Sequence, residues 1–150
     1  VAVPVTLWDV HAMAEYKGLE LRGLYTEAYV GNADAVNQAQ VTAGVAITAA
    51  NGASVGRKMF GGYGEVAFNV LSLRPTKHYL APFVRYERYD TQADTPESFS
   101  KNPANSRVEY ILGVTYKPIP QVAVKTDYQW IRNQARTGVN QWNAALAFIF

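Results

Sequence analysis

The sequence predicts an all-β fold, an antiparallel transmembrane β-barrel contributing about seven strands within residues 1–150. Three observations point there. Apolar and polar residues alternate in blocks of about ten, the period of a strand with two unlike faces. The apolar face carries rings toward its ends, and short connections alternate with long ones. Helical membrane proteins are excluded, because no run approaches the roughly 20 apolar residues that a spanning helix needs. The least polar stretch, Val41 to Val55, is broken by Thr42, Gly44, Thr48, Asn51 and Gly52. A chain 49% hydrophobic and only 17% charged is not disordered either.

In the first block Trp8, Val10, Ala12, Ala14 and Tyr16 share one face, and Asp9, His11, Met13 and Glu15 the other. Leu19, Leu21, Gly23 and Tyr25 then oppose Glu20, Arg22, Leu24 and Thr26. A third block sets Gly64, Val66, Phe68 and Val70 against Tyr63, Glu65, Ala67 and Asn69. In the fourth, Leu80, Pro82, Val84 and Tyr86 oppose Phe83, Arg85 and Glu87. The last three are the most regular. Val108, Tyr110, Leu112, Val114 and Tyr116 oppose Arg107, Glu109, Ile111, Gly113, Thr115 and Lys117. Val122, Val124, Thr126, Tyr128 and Trp130 oppose Ala123, Lys125, Asp127 and Gln129, and Trp142, Ala144, Leu146, Phe148 and Phe150 oppose Asn143, Ala145, Ala147 and Ile149.

Tight turns are expected at Lys17–Gly18, Arg74–His78 and Lys117–Gln121, the last two stiffened by Pro75 and by Pro118 with Pro120. Gly31–Lys58 and Thr91–Ser106 are long, and Asn133–Gly138 is intermediate. Residues 31–58 read as an external loop with a short helix over Asn32 to Gln40, capped by Asn32 or Asp34 and built on Ala33, Ala35, Val36 and Ala39. Such a loop either folds inward to narrow a pore or stays outside. Short turns on one rim and longer loops on the other are the layout of an outer-membrane barrel.

A soluble barrel would turn its apolar face inward and its charges to water. Here the polar face carries charge on nearly every strand, with small residues between, while Trp8 and Tyr16 or Tyr110 and Tyr116 bracket the apolar face. Rings flanking an apolar band match the interfacial girdles of a barrel in lipid. The C-terminal strand Trp142-x-Ala144-x-Leu146-x-Phe148-x-Phe150 ends on an aromatic. It looks like the strand that outer-membrane proteins present to their assembly machinery, with Trp142, Leu146, Phe148 and Phe150 as the signal.

Three segments carry a family resemblance: Tyr79-Leu-Ala-Pro-Phe-Val-Arg-Tyr-Glu-Arg-Tyr-Asp-Thr-Gln92, Gly113-Val-Thr-Tyr-Lys-Pro-Ile-Pro-Gln-Val-Ala-Val-Lys-Thr-Asp-Tyr-Gln129, and Gly138-Val-Asn-Gln-Trp-Asn-Ala-Ala-Leu-Ala-Phe-Ile-Phe150. They resemble the C-terminal part of Gram-negative outer-membrane porins of the phosphate-selective porin-like group. The resemblance implies a bacterial outer-membrane location and a barrel larger than this chain, of about 16 strands. It also implies lipid and lipopolysaccharide as surroundings, and a homotrimer as the expected assembly. Parity agrees with a C-terminal portion. With Phe150 at the periplasmic rim, seven strands leave Val1 outside the cell, whereas complete bacterial barrels have an even strand number. The other expectation is an eighth strand partly hidden in Val1–Thr6, with Pro4 at a bend. The chain has no initiator Met and no signal peptide, which fits a mature form or a fragment.

The chemistry on offer is that of a pore wall. The polar face supplies Arg22, Arg85, Arg107, Lys117 and Lys125 against Asp9, Glu15, Glu20, Glu65, Glu87, Glu109 and Asp127. Anion-selective pores use ladders of Arg and Lys; this set is mixed and slightly acidic. Arg22, Glu65, Arg85, Glu87, Arg107, Glu109, Lys125 and Asp127 are the candidate pore-lining residues. The competing account is that these charges pair across strands and stiffen the wall. No catalytic, metal or cofactor site is nominated. Cysteine is absent, His11 and Glu15 lie well over 10 Å apart on a strand at ~3.3 Å per residue, and His78 sits in a turn. Gly61-Gly-Tyr-Gly64 lacks the strand–turn–helix context of a phosphate loop and reads instead as relief for rings packing over it. Arg85, Tyr86, Arg88 and Tyr89 look like a basic-aromatic patch, but Glu87 and Asp90 offset its charge, so nucleic acid is not an expected partner. Two other classes stay open: a small closed outer-membrane barrel acting structurally or in adhesion through its loops, and a soluble barrel around an apolar ligand.

Overall fold

A computed structural model describes residues 2–149. They form a seven-stranded antiparallel sheet in sequential order: β1 (Val5–Tyr16), β2 (Leu19–Val30), β3 (Lys58–Phe68), β4 (Tyr79–Asp94), β5 (Ser106–Ile119), β6 (Val122–Asn133) and β7 (Asn140–Phe148). A single helix, α1 (Ala33–Thr42), lies between β2 and β3. Every strand pairs only with its chain neighbours, so β1 and β7 are edges and the sheet is not closed among the described residues. No described helix is long and apolar enough to cross a membrane.

The Lys17–Gly18 turn forms as expected, with both residues at positive φ (50° and 87°), the backbone of a two-residue hairpin whose twist matches its strands. The other two turns differ from expectation in opposite ways. Between β3 and β4 the chain makes a 3-10 turn, Val70–Leu73, before returning. Asn69 starts that turn by accepting the Leu71 amide, and the same side chain accepts the Leu80 amide. Beyond β5 the strands run further than Pro118 suggests, pairing Ile119 with Val122 past an irregularity after Tyr116. A proline cannot donate to the ladder, so the pairing is interrupted around Pro118 and resumes beyond it. Strand β4 also outlasts the sequence reading, running to Asp94 instead of giving way to a loop at Thr91.

The register puts the predicted faces where the alternation put them. On one face lie rows such as Ala14, Leu21, Val66, Val84, Leu112, Tyr128 and Trp142, joined pair by pair from β1 to β7. On the other, Arg22 pairs with Glu65 and Glu65 with Arg85, while Glu87 stands opposite Glu109. The charged face is the crowded one. Glu65, Ala67, Ala81, Phe83, Glu109 and Ile111 are buried there although the described residues form no second sheet to pack over them. The opposite face leaves Val10, Val84, Leu112 and Leu146 exposed. Crowding on one side and splaying on the other is the consequence of curvature toward the charged face. Gly113 serves that curvature, since a Cβ there would come within 2.5 Å of the Phe83 ring and 2.6 Å of the Thr126 carbonyl oxygen.

The rings of the apolar face run obliquely across the hydrogen-bonded rows. Trp142 on β7 belongs to the row that reaches β1 at Ala14, six residues along the strand from Trp8. That offset accumulates unevenly over six strand-to-strand steps, one residue per step only on average: Tyr25 lies two residues in from Trp8, Tyr86, Tyr110 and Trp130 share the next row, and Trp142 lies in the row beyond that. The other end runs the same way with a smaller offset: Tyr16 and Phe68 share a row through Leu19, and the stepping begins beyond β3. Val66 and Leu112 share a row, yet the terminal ring is two residues beyond Val66 on β3 (Phe68) and four beyond Leu112 on β5 (Tyr116). With ~3.3 Å per residue and ~4.8 Å between strands, one residue per step makes an angle of about 35°.

Candidate functional site

The charged face of β2 to β4 is a chain of alternating signs. Glu20 and Glu65 both receive Arg22, at 2.7 and 3.0 Å, and Glu65 also receives Arg85 at 3.1 Å. Arg85 reaches on to Glu87 at 3.5 Å and lies 4.0 Å from the centre of the Tyr63 ring. Tyr79 closes the far end, its hydroxyl donating to Glu20 at 2.7 Å. The Glu65 side chain, between its two guanidiniums, is only 4% exposed. The alternation Glu-x-Arg on β2 and Arg-x-Glu on β4, with one Glu between them on β3, lets each guanidinium face carboxylates both along and across strands.

On β5 and β6 the same face is organised differently. Lys125 points its ammonium over the Phe83 ring at 4.3 Å, and Lys117 over Tyr79 at 4.8 Å. Arg107 donates to the Ala104 carbonyl and the Tyr89 hydroxyl. None of these three cations forms an ion pair with a described carboxylate. The acids there bond neutral donors: Tyr89 donates to Glu109 at 3.0 Å, and Gln129 and Asn143 donate to Asp127 at 3.1 and 2.9 Å. Glu87 and Glu109 sit directly opposite, a like-charge pairing that costs stability unless each has its own partner. Arg85 supplies one partner and Tyr89 the other.

All eight candidate wall residues, Arg22, Glu65, Arg85, Glu87, Arg107, Glu109, Lys125 and Asp127, therefore share one face. The structure joins the first four into one network and leaves the last four with neutral partners. The sequence did not single out Tyr79, and it named Tyr89 only within a basic-aromatic patch, although both have the parity of Arg85 and Glu87. Of the C-terminal residues, Trp142, Leu146 and Phe148 stand on the apolar face of the edge strand β7, from 57 to 68% exposed; Phe150 lies outside the described residues. His11 meets Asp9 at 3.4 Å, and the His78 ring stacks on Tyr116. Over Gly62 the Tyr25 ring does pack, at 3.1 Å from where a Cβ would stand.

The long loops fold on one another. Asn37, fully buried in α1, clamps Val55 by accepting its amide at 2.7 Å and donating to its carbonyl at 3.1 Å. Gln92 donates to Ser54 and Gly52 and accepts the Asn102 amide, so residues 52–55 and 102 are tied to the end of β4. Opposite Met59 alone, β4 carries Thr91, Gln92 and Ala93 between its paired residues Asp90 and Asp94, a bulge that turns this end toward the loops. The helix occupies nearly the expected span, but its start differs. Asn32 holds the N-cap position without capping, because its amide donates to the Ala2 carbonyl. These ties sit at the loop end of the strands, away from the Arg22–Glu65–Arg85 row.

On β2 one charge breaks the face rule. Glu27 lies on the apolar face, buried and bound by Lys58 at 2.8 Å and by the hydroxyls of Tyr25, at 2.7 Å, and Tyr29. Among the described residues no group of three or more His, Cys, Asp or Glu is placed to hold a metal ion.

No protein-family profile matches this sequence, and no solved structure matches it either. The chain is similar to an uncharacterized protein of Aquifex aeolicus (strain VF5), 30% identical over 147 residues. That alignment takes in 97% of this chain but 33% of the relative, so the chain spans about a third of the protein it matches.

Proposed function

We propose that this chain forms part of the wall of an outer-membrane porin, a water-filled β-barrel through which small hydrophilic solutes and ions diffuse passively. The observation that carries the reading is the oblique course of the two ring lines. A girdle must be level with the membrane, and strands in a barrel tilt by about 35–45°. Rings at constant depth must then step along successive strands, and a step of about one residue per strand gives that tilt. In a soluble barrel nothing ties ring position to a plane.

Further support comes from the charged, inward-curving face and from the exposure of the opposite face. Open edges at β1 and β7 are untenable in lipid, where each unpaired backbone group costs several kcal/mol. Further strands of a barrel of about 16, expected from the porin resemblance, would cover them, and the match to one third of a longer relative suits that. On this reading Trp142, Leu146 and Phe148 meet lipid and the assembly machinery, a homotrimer is the assembly to look for, and the residues are in a bacterial outer membrane. The ordered cap of loops favours a second reading, a small closed barrel that acts structurally or in adhesion.

The deciding experiment is planar-bilayer conductance of the full-length protein under a salt gradient. Large, stable steps are expected. Glu87→Lys combined with Glu109→Lys should move the reversal potential toward anions. An absence of steps from protein shown to be folded would discard the porin reading in favour of the second.

A further inference from the structure

The apolar face carries, one pair beyond its rings, a row that the porin reading does not use: Arg88 on β4, Val108 on β5 and Arg132 on β6, paired in sequence across the sheet. Two guanidiniums thus flank a valine floor, their strands separated by about 10 Å. A groove of about 230 Å³ runs there, lined by Arg88, Ser106, Val108, Arg132, Asn133 and Gln134. Neither arginine has a carboxylate partner among the described residues. Arg88 lies 5.7 Å from the centre of the Phe60 ring, and Arg132 donates to the Ile131 carbonyl and to Asn140 Oδ1.

The sequence reading set Glu87 and Asp90 against the charge of this stretch; in the structure Glu87 meets Arg85 on the opposite face, and Asp90 is held by other partners. Lys101 holds one Asp90 oxygen at 2.7 Å and the Gln92 amide the other at 2.9 Å, in a side chain only 5% exposed. The groove is left with two cations and no anion.

Its place in the face says what kind of anion fits. The next row inward is Tyr86, Tyr110 and Trp130, and the row after that is Val84, Leu112 and Tyr128. A ligand seated between the arginines therefore has rings and then an apolar band directly below it, the order of a lipid's headgroup, interface and chains. Guanidiniums match phosphate oxygens in geometry and keep their charge at any working pH. We infer that this groove binds the phosphoryl headgroup of a membrane lipid on the outer surface of the wall. The inference rests on the proposal that this face meets lipid.

The test uses the full-length protein in detergent, with native mass spectrometry counting bound lipid. The probe is a diphosphorylated lipid A, compared with the same glycolipid stripped of phosphate and with inorganic phosphate as competitor. Retention of the phosphorylated form should fall about tenfold in Arg88→Gln and further with Arg132→Gln, at the strength of a charge-assisted hydrogen bond per arginine. Equal retention by wild type and the double variant, or of both lipids, would overturn the inference. So would displacement by inorganic phosphate at concentrations matching the lipid, which would make this a free-anion site. Failure of the wild type to enter lipid vesicles at all is a separate result, and it removes the porin reading itself.

Discussion

Between β2 and β4 each arginine of the charged face meets a carboxylate, and each of Glu20, Glu65 and Glu87 meets an arginine. Two strands further on, Lys117 and Lys125 rest on rings, while Glu109 and Asp127 accept from hydroxyl and amide groups. The residue types are the same and the sheet is continuous, so the difference lies in register. Arg22, Glu65 and Arg85 fall in one row with opposite signs adjacent. In the equivalent rows of β5 and β6, Gly113 stands opposite Asp127 and Thr115 opposite Lys125. An ion network of alternating signs, with two guanidiniums among three carboxylates, offsets most of its own charge and ties three strands together. Charges with neutral partners leave their field in the space above the sheet. On the proposed porin reading, the first region holds the wall and the second acts on what passes it.

The largest effect should come from cutting the network at its middle. Glu65→Leu removes the carboxylate shared by Arg22 and Arg85 and leaves two guanidiniums close together on a crowded face. Breaking a buried pair costs about 3–5 kcal/mol, reduced here because Arg22 is 43% exposed, to about 2–3 kcal/mol. Urea unfolding of the protein in detergent should show that loss; an unchanged midpoint would mean the network is decorative. Gly113→Val ranks next, at about 1–3 kcal/mol, because its Cβ meets Phe83 and the Thr126 carbonyl. This variant touches the β5–β6 side without changing charge, so it sets how far that region is sensitive to shape alone. Its readout is the same unfolding midpoint.

Much of this comparison was legible in the sequence. Strict alternation from Arg107 to Lys117 and from Val122 to Trp130 assigns both faces, because a slip of one residue would invert them. What alternation cannot supply is which strand positions stand side by side. Whether Asp90 offsets Arg88 depended on Lys101, eleven residues on and reached only through a loop. Asn32 was legible as a helix boundary but not as a partner of Ala2, since nothing local relates the two. Glu27 breaks the alternation and reads as an error until Lys58 is known to pair with Tyr29 beside it. Local pattern determines the faces, and non-local register determines the partners.

Asn37→Ala should act on the loops and spare the sheet. It removes both bonds to Val55 and leaves that buried backbone unpaired, a loss of about 1–3 kcal/mol confined to residues 31–57. Limited proteolysis should then cut within this segment at least several-fold faster than in the wild type, while the unfolding midpoint of the sheet stays put. A matching drop in the midpoint would show that cap and sheet are one cooperative unit.

The smallest free-energy change is the most informative about function. Lys125→Met keeps the length and apolar contact of the side chain over Phe83 and removes a charge that has no ion pair among the described residues. Its effect on stability should stay within about 0.5 kcal/mol, the usual range for a surface change away from networks. Its field is another matter. At about 8 Å through water a unit charge is worth about 0.5 kcal/mol to a passing ion, roughly a factor of two. In the salt-gradient measurement the cation-to-anion permeability ratio should rise by about the square of that factor, roughly fourfold, because cations gain what anions lose. Arg22→Met combined with Glu20→Gln, which removes a matched pair from the network, should do the reverse, lowering stability and moving the ratio less, because it takes no net charge from this face. If the two variants shift the ratio equally, pairing does not decide which charges an ion encounters, and the division between the two regions disappears.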